Sequence, residues 1–221
     1  MPLCWDGRPG PGNSMKGRRW EGLGDTKETI INLLESTNRP GIEKVIEYLN
    51  NSDFFTAPAS TKYHSSFEGG LAEHSFAVYV ALKEKVSYMY GDWLSKDTII
   101  ITALLHDICK INFYKKEKKN VKKGTKINDW GKEVANWVEE EVWTVDDSEP
   151  MGHGEKSLWI LSKMIELTDQ EAYLIRYHMG FTEPKENYMH LNNALNKYPE
   201  IILLHTADLE ASYLVERREK K

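Results

Sequence analysis

Cysteines and long apolar runs are scarce in this sequence of 221 residues. The two cysteines, Cys4 and Cys109, are not part of a CxxC pair, which excludes a disulfide framework and a zinc site built from thiolates. The longest uninterrupted apolar run covers seven residues, 76–82, whereas a bilayer span needs about 20. We therefore expect a cytoplasmic protein with no membrane-spanning segment.

A strong excess of one charge is also lacking. The chain carries 29 Lys+Arg against 34 Asp+Glu, a net charge of −5, and its pI is about 5.9. This balance argues against a dedicated duplex-DNA-binding protein, which would present a basic face. No Walker A, GxGxxG or GxSxG motif occurs, so a P-loop kinase, a dinucleotide-binding domain and a serine hydrolase have no support.

The length of the chain suits a single domain with a tail. Residues 1–24 contain six Gly and three Pro without an apolar period, and we expect them to form a disordered leader. The predicted domain covers residues 25–221.

Helical periodicity dominates that domain. Apolar residues of segment 42–49 recur at i, i+3, i+4 and i+7, as in an amphipathic helix. Thr168 and Glu171 form a capping-box pattern that opens another helix, and Gly180 ends it. Similar patterns predict helices over 71–90, 97–108, 157–167 and 199–217. The fold class predicted is all-α, a helical bundle of about seven to nine helices.

The segment 111–149 departs from this helical pattern. Residues 115–126 carry seven Lys, whereas residues 133–149 carry seven Asp or Glu and no Lys or Arg. The valines of the acidic part favour strands. We expect a short β-like insertion, a hairpin with its basic and acidic arms side by side.

Carboxylates lie within apolar runs at two places. Asp107 follows Leu104, Leu105 and His106, and Asp208 lies in a similar run with His205. A buried carboxylate needs a positive partner, and few Lys or Arg are placed in these segments to provide one. Five histidines also fall in or at the ends of predicted helices. A metal ion would partner such groups, whereas a single buried histidine is more often a hydrogen-bonded core residue.

These residues resemble the HD-domain metal-dependent phosphohydrolase superfamily, which is named for an adjacent His-Asp pair. The resemblance covers roughly residues 63–212 and depends on GGLAEHS (69–75), LLHDICK (104–110) and an Asp on a late helix. It implies a helical metal-dependent hydrolase in which one metal ion is bound by His74, His106, Asp107 and Asp208.

Two further histidines occupy the places where two-metal members of the superfamily have theirs. His153 begins a predicted helix and His178 ends one. The resemblance implies that Asp107 bridges two ions, with His153 and His178 on the second. The alternative is a single metal, with these two histidines binding phosphate or simply packing. Nitrogen and oxygen ligands suit Mn, Fe, Co, Ni or Zn without distinguishing among them.

The resemblance also assigns residues to the substrate. Lys110 corresponds to the lysine of His-Asp-x-x-Lys members that contacts substrate phosphate, and with Asp107 it completes the predicted catalytic pair. Cys109 stands where glycine is usual. His64 lies in a stretch similar to that before the first ligand in the 3′→5′ exoribonuclease branch, where it would contact phosphate or the second metal; it is otherwise a solvated loop histidine.

The implied function is hydrolysis of a phosphate ester of a nucleotide or related small compound by metal-activated water. The lysine-rich segment 115–126 would attract phosphate or a short single-stranded nucleic acid, or it is a solvated hairpin. Two alternatives have the same fold. A mixed-valent diiron oxygenase related to myo-inositol oxygenase shares the ligand order, whereas an inactive nucleotide-binding regulatory domain typically lacks one or more of the metal ligands, all of which are present here. The sequence leaves the oligomeric state open.

Overall fold

The computed structural model describes residues 26–61, 65–90 and 93–215, and these contain eight α-helices and one two-stranded sheet. The predicted leader and His64 lie outside the described residues. The helices are α1 (Thr26–Glu35), α2 (Ile42–Asn50), α3 (Gly70–Lys85), α4 (Lys96–Leu105), α5 (His153–Leu161), α6 (Asp169–Tyr177), α7 (Tyr188–Lys197) and α8 (Ile201–Glu210). Both α3 and α8 continue into a π-helical turn, Val86–Tyr90 and Ala211–Val215 respectively.

Local signals explain several helix boundaries. Helix α2 buries Ile42, Val45 and Leu49, as its apolar period predicts. The predicted capping box is present at α6: the Thr168 hydroxyl accepts from the Glu171 backbone N–H, and the Glu171 carboxylate accepts from the Thr168 N–H. Gly180 follows with φ of 51°, a left-handed conformation that favours glycine.

Long-range contacts hold the turn that follows α5. The helix start predicted at His153 and the helix predicted over 157–167 belong to one helix, which begins at His153 and ends at Leu161. The following turn packs against the loop between α1 and α2, where a Cβ on Gly41 would overlap the Met164 carbonyl oxygen. Arg39 also donates to the carbonyl oxygen of Glu166 at 2.9 Å. These long-range contacts end the helix before its apolar pattern does.

The insertion is a hairpin, as expected, but it is not short. Strand β1 (Tyr114–Ile127) has 14 residues and β2 (Glu133–Val145) has 13. The strands pair antiparallel, from Tyr114 opposite Val145 to Ile127 opposite Glu133, with a register shift near the tip. Pairing places the basic strand beside the acidic one, so ion pairs such as Lys118–Glu139 (3.1 Å) span the hairpin.

The core lies between α3, α4, α6 and α8. Helix α3 packs against α4 and α8, and α6 contacts α4, α5 and α8. Helix α4 is buried from Thr98 to Leu105, so it is surrounded on all sides. None of the helices in the described ranges has the length and apolarity that a membrane crossing requires.

Candidate metal centre

The Asp107 carboxylate lies at the centre of a group of four imidazoles. Its Oδ2 is 3.4 Å from His74 Nε2 and 3.5 Å from His106 Nε2. Its Oδ1 is 2.6 Å from His153 Nε2 and 3.6 Å from His178 Nε2. One carboxylate oxygen therefore faces each pair of histidines, which is the arrangement a bridging ligand needs.

Asp208 on α8 completes one side of this cluster. Its Oδ1 lies 3.3 Å from His74 Nε2. Among the described residues, three groups have ligand atoms within 4.8 Å of one another and so could hold a metal ion: His74–His106–Asp208, His106–Asp107–His178 and Asp107–Cys109–His153. The groups overlap at His106 and Asp107, so they form one continuous centre.

Helix ends orient two of the imidazoles. His106 and His178 are the C-cap residues of α4 and α6. Each places its Nδ1 against the carbonyl oxygen three residues earlier, at 2.8 Å from Ala103 and 2.7 Å from Ile175. Carbonyl groups near a helix C-terminus lack an intrahelical donor, and these imidazoles supply one. The ring orientation thus follows from where each helix ends.

These hydrogen bonds also fix the tautomer. A carbonyl oxygen only accepts, so Nδ1 carries the proton and a neutral ring keeps its lone pair on Nε2. The Nε2 atoms of His106 and His178 are buried and have no hydrogen-bond partner among the residues that the structure describes. Burial lowers the pKa of His106 to about 3, so this ring is neutral near pH 7. Buried lone pairs without donors fit a metal cation.

His153 is held differently because it starts a helix. Its Nε2 donates to Asp107 Oδ1, and its Nδ1 lies 3.2 Å from the Sγ of Cys109. Burial raises the pKa of the Cys109 thiol to about 12, so the thiol keeps the proton that it directs at Nδ1. Cys109 therefore occupies the ring nitrogen of His153 that faces away from Asp107, as the carbonyl groups do for His106 and His178. Because the thiol donates and a carbonyl oxygen accepts, the proton of a neutral His153 ring lies on Nε2 and not on Nδ1.

A glycine lets α5 approach α6 closely enough to bring His153 to the cluster. A Cβ on Gly154 would overlap the carbonyl oxygen of Arg176. With hydrogen at this position, the His153 and His178 rings lie 5.1 Å apart, centroid to centroid. Close backbone packing is thus a condition for assembling the site.

Lys110 is the cation closest to Asp107. Lys110 belongs to the 3₁₀ turn Ile108–Lys110 that follows α4, and its ammonium donates a hydrogen bond of 2.6 Å to Asp107 Oδ2. Burial alone would raise the pKa of the Asp107 carboxyl, but Lys110 and the nearby imidazoles outweigh it and hold that pKa well below its usual range. The Asp208 pKa is also lowered: desolvation alone would raise it, but the hydrogen bond from His74 and the electrostatic interactions with the His74 and His106 rings together outweigh desolvation.

The charge of the cluster favours a further cation. Among the described residues, one buried carboxylate, Asp107, and one partly buried carboxylate, Asp208, face the Lys110 ammonium, and the His106 ring is neutral near pH 7. The side chains of Asp208 and His153 are 19% and 32% exposed, against 3% for Asp107, so the cluster reaches solvent at both of these residues.

The structure brings together all six residues predicted as metal ligands and places Lys110 beside them. His205 lies outside this group, donating from Nδ1 to the carbonyl oxygen of His178 at 2.8 Å. Sequence reasoning missed Cys109 as a contact of His153 and did not consider Lys156. The spacing His153-x-x-Lys156 would have found the latter, because residues i and i+3 share a helix face.

Comparison with known proteins finds a partial relative. Over 107 residues the chain is 37% identical to the dihydroneopterin 2′,3′-cyclic phosphate phosphodiesterase of Methanocaldococcus jannaschii, a match covering 41% of this chain and 43% of that protein. The chain thus spans less than half the length of this curated relative. No family model matches the chain, and no solved structure is significantly similar to it.

Proposed function

We propose that this protein is a metal-dependent phosphohydrolase that cleaves a phosphodiester or related phosphate ester of a nucleotide-like small molecule. The observation that carries the proposal is the convergence of four Nε2 atoms and two carboxylates around Asp107. The partial relative supports the reaction class, because it is named as a phosphodiesterase. A 2′,3′-cyclic phosphate is accordingly the first substrate to test.

In this proposal the six residues hold one or two divalent ions: His74, His106, Asp107, His153, His178 and Asp208. Such ions supply Lewis acidity, which lowers the pKa of water toward neutrality and stabilises charge on phosphoryl oxygens. Asp107 offers one oxygen to each side of the cluster, and the Nδ1 contacts of His106, His153 and His178 keep their Nε2 atoms directed inward.

Lys110 is the residue of this chain that we assign to the substrate. Hydrolysis forms a bond from a water oxygen to phosphorus and breaks an ester P–O bond, so negative charge accumulates on the phosphoryl oxygens. The Lys110 ammonium is fixed by Asp107 at 2.6 Å, and in this proposal the phosphoryl oxygens lie beside it. A preorganised cation stabilises such charge without reorganising during the reaction. Lys110 and Asp107 are therefore the catalytic residues that we propose.

The test is metal analysis of the purified protein, followed by assays with 2′,3′-cyclic AMP and a nucleotide panel, with and without oxygen. We expect bound divalent metal and hydrolysis that does not consume oxygen. His106→Ala and Asp107→Ala should lose metal and activity while the helical circular dichroism spectrum persists. His190→Ala, an exposed histidine on α7, is the control and should retain both.

Three results would contradict the proposal. Full metal content and turnover in both site variants would show that the cluster is not the site. Oxygen consumption with substrate would favour the diiron oxygenase alternative. Bound metal and nucleotide without any turnover would favour an inactive regulatory domain.

A further inference from the structure

A small pocket lies next to the metal cluster, on the His153 side. Its volume is about 170 Å³, and it is lined by Cys109, Lys110, Phe113, Asp147, Met151, His153 and Lys156. Because a water molecule occupies about 30 Å³ in the liquid, the pocket has room for a phosphate group and a few waters but not for a whole nucleotide. The base of the hairpin and the first turn of α5 form its walls.

Two ammonium groups line this pocket, and only one of them belongs to the predicted site. Lys110 is bound to Asp107, as described. Lys156 is also buried, with its side chain 8% exposed, and its ammonium donates to Asp147 at 2.6 Å. Lysine is almost never this buried without a charged partner. Lys156 shares a face of α5 with His153, so it is directed to the same side of the helix as the cluster.

The Lys156 ammonium contacts Phe113 and Asp147, and only the contact with Asp147 would compete with a bound anion. The Phe113 ring lies 5.3 Å from the ammonium and offers a cation–π contact that does not compete with an anion. The Asp147 side chain is 24% exposed and follows the end of β2, so its carboxylate can turn to water at little desolvation cost. The ammonium would then remain in the pocket beside Phe113.

We propose that Lys156 and Lys110 form an anion subsite for the phosphate group of the substrate, and that Asp147 occupies the anion's place at Lys156 until substrate binds. With Asp147 inside, the charges of Lys110, Lys156, Asp107 and Asp147 cancel. With Asp147 turned outward, one positive charge is left for a phosphate oxygen. The identity of this anion as substrate phosphate rests on the proposed function; the subsite itself rests on the pocket and its two lysines.

The experiment is titration of the full chain, as isolated with its metal, with inorganic phosphate in a calorimeter. A charge-assisted hydrogen bond contributes about 1.5–3 kcal/mol, so Lys156→Met should weaken phosphate binding by about tenfold or more. Asp147→Asn should strengthen it several-fold, because the competing carboxylate is gone. Lys156→Arg should keep most of the affinity. Lys163→Met, an exposed lysine just beyond α5, is the control and should change nothing.

The opposite signs of the two variants separate this proposal from a structural role. If the Lys156–Asp147 pair only anchored the hairpin, both variants would lower the melting temperature and neither would strengthen phosphate binding. Unchanged or weaker binding in Asp147→Asn would overturn the proposal. Should Lys156→Met not fold, the more exposed Asp147→Asn still decides it.

Failure of this proposal can be told apart from failure of the hydrolase proposal. If the protein hydrolyses phosphate esters but neither variant changes phosphate affinity or KM, only the subsite is wrong. If no ester is hydrolysed while phosphate binding follows the expected order, the subsite stands and the hydrolase proposal is wrong.

Discussion

Acid should destabilise the metal-free protein through the buried histidines, and His106 allows the effect to be calculated. Burial lowers its pKa to about 3 in the folded protein, whereas an unfolded chain has the ordinary value of 6.5. Below pH 6.5 the unfolded state therefore binds a proton at His106, whereas the folded state does not bind it until the pH approaches 3. The stabilisation is complete above pH 6.5 and is lost as the pH falls toward 3.

The loss between pH 7 and pH 5 follows from these two pKa values. It is about 2 kcal/mol for His106 alone, since almost every unfolded molecule is protonated at pH 5 and almost no folded molecule is. Burial also lowers the pKa of His153, which adds to the loss in the same direction. The lowered pKa values of Asp107 and Asp208 contribute only below the ordinary value of 3.8, so this pH window reports on histidines.

The assay is urea unfolding at pH 7 and pH 5 in the presence of a chelator. We expect the free energy of unfolding of the wild type to fall more than that of His106→Gln, by about 2 kcal/mol. His190→Gln, which changes an exposed histidine, should behave like the wild type. An equal loss in the wild type and in His106→Gln would show that His106 is protonated in the folded protein, in which case its Nε2 carries a proton and not a free lone pair.

Two further predictions concern an ion pair with a buried carboxylate and the close packing of α5 against α6. Arg39 binds the fully buried Glu171 through two hydrogen bonds of 2.7 and 2.9 Å, so Arg39→Met should destabilise the protein by about 3–5 kcal/mol in urea unfolding. The control is Lys197→Met, which removes an exposed ion pair with Asp169 at 4.0 Å and should lower the free energy of unfolding by less than about 1 kcal/mol. An equal loss of stability in Arg39→Met and Lys197→Met would show that burial of Glu171 does not strengthen its dependence on Arg39. Gly154→Ala should separate α5 from α6, costing about 1–3 kcal/mol and lowering metal content. The control is Gly131→Ala in the hairpin, where an added Cβ has no atom within 4 Å, and this variant should keep its metal. Full metal content in Gly154→Ala would show that metal binding does not need the close approach of α5 to α6.

The charge pattern of residues 111–149 predicted some features of the hairpin and not others. The lysine and glutamate blocks correctly indicated two adjacent arms, because opposite charges facing each other across a strand pair are favourable. The length of the strands could not be predicted from the sequence, because a run of mostly charged residues is equally compatible with a solvated strand and with a solvated loop. Helix α7 was missed for a related reason: it buries only Leu191 and Ala194, too few residues for a clear apolar period.

The sequence by itself determined the features that depend on neighbours within a few residues. The apolar period of α2 and the capping box of α6 were visible in it, because helical turns relate residues three and four apart. The order of the six histidine and aspartate positions was also visible, but through resemblance to a family and not through local spacing. The role of those six residues as metal ligands stays a prediction. Only the tertiary structure decided how they meet: two oxygens of Asp107 facing two pairs of imidazoles.

Tertiary structure alone also decided the partners of Cys109 and Lys156. The sequence separates Cys109 from His153 by 44 positions, and no local rule relates them. Lys156 is nine positions from Asp147, but their contact depends on how the end of β2 returns to the first turn of α5. The number of residues between two positions does not predict contacts of this kind. The distance between the two side chains depends on the path that the backbone takes between them.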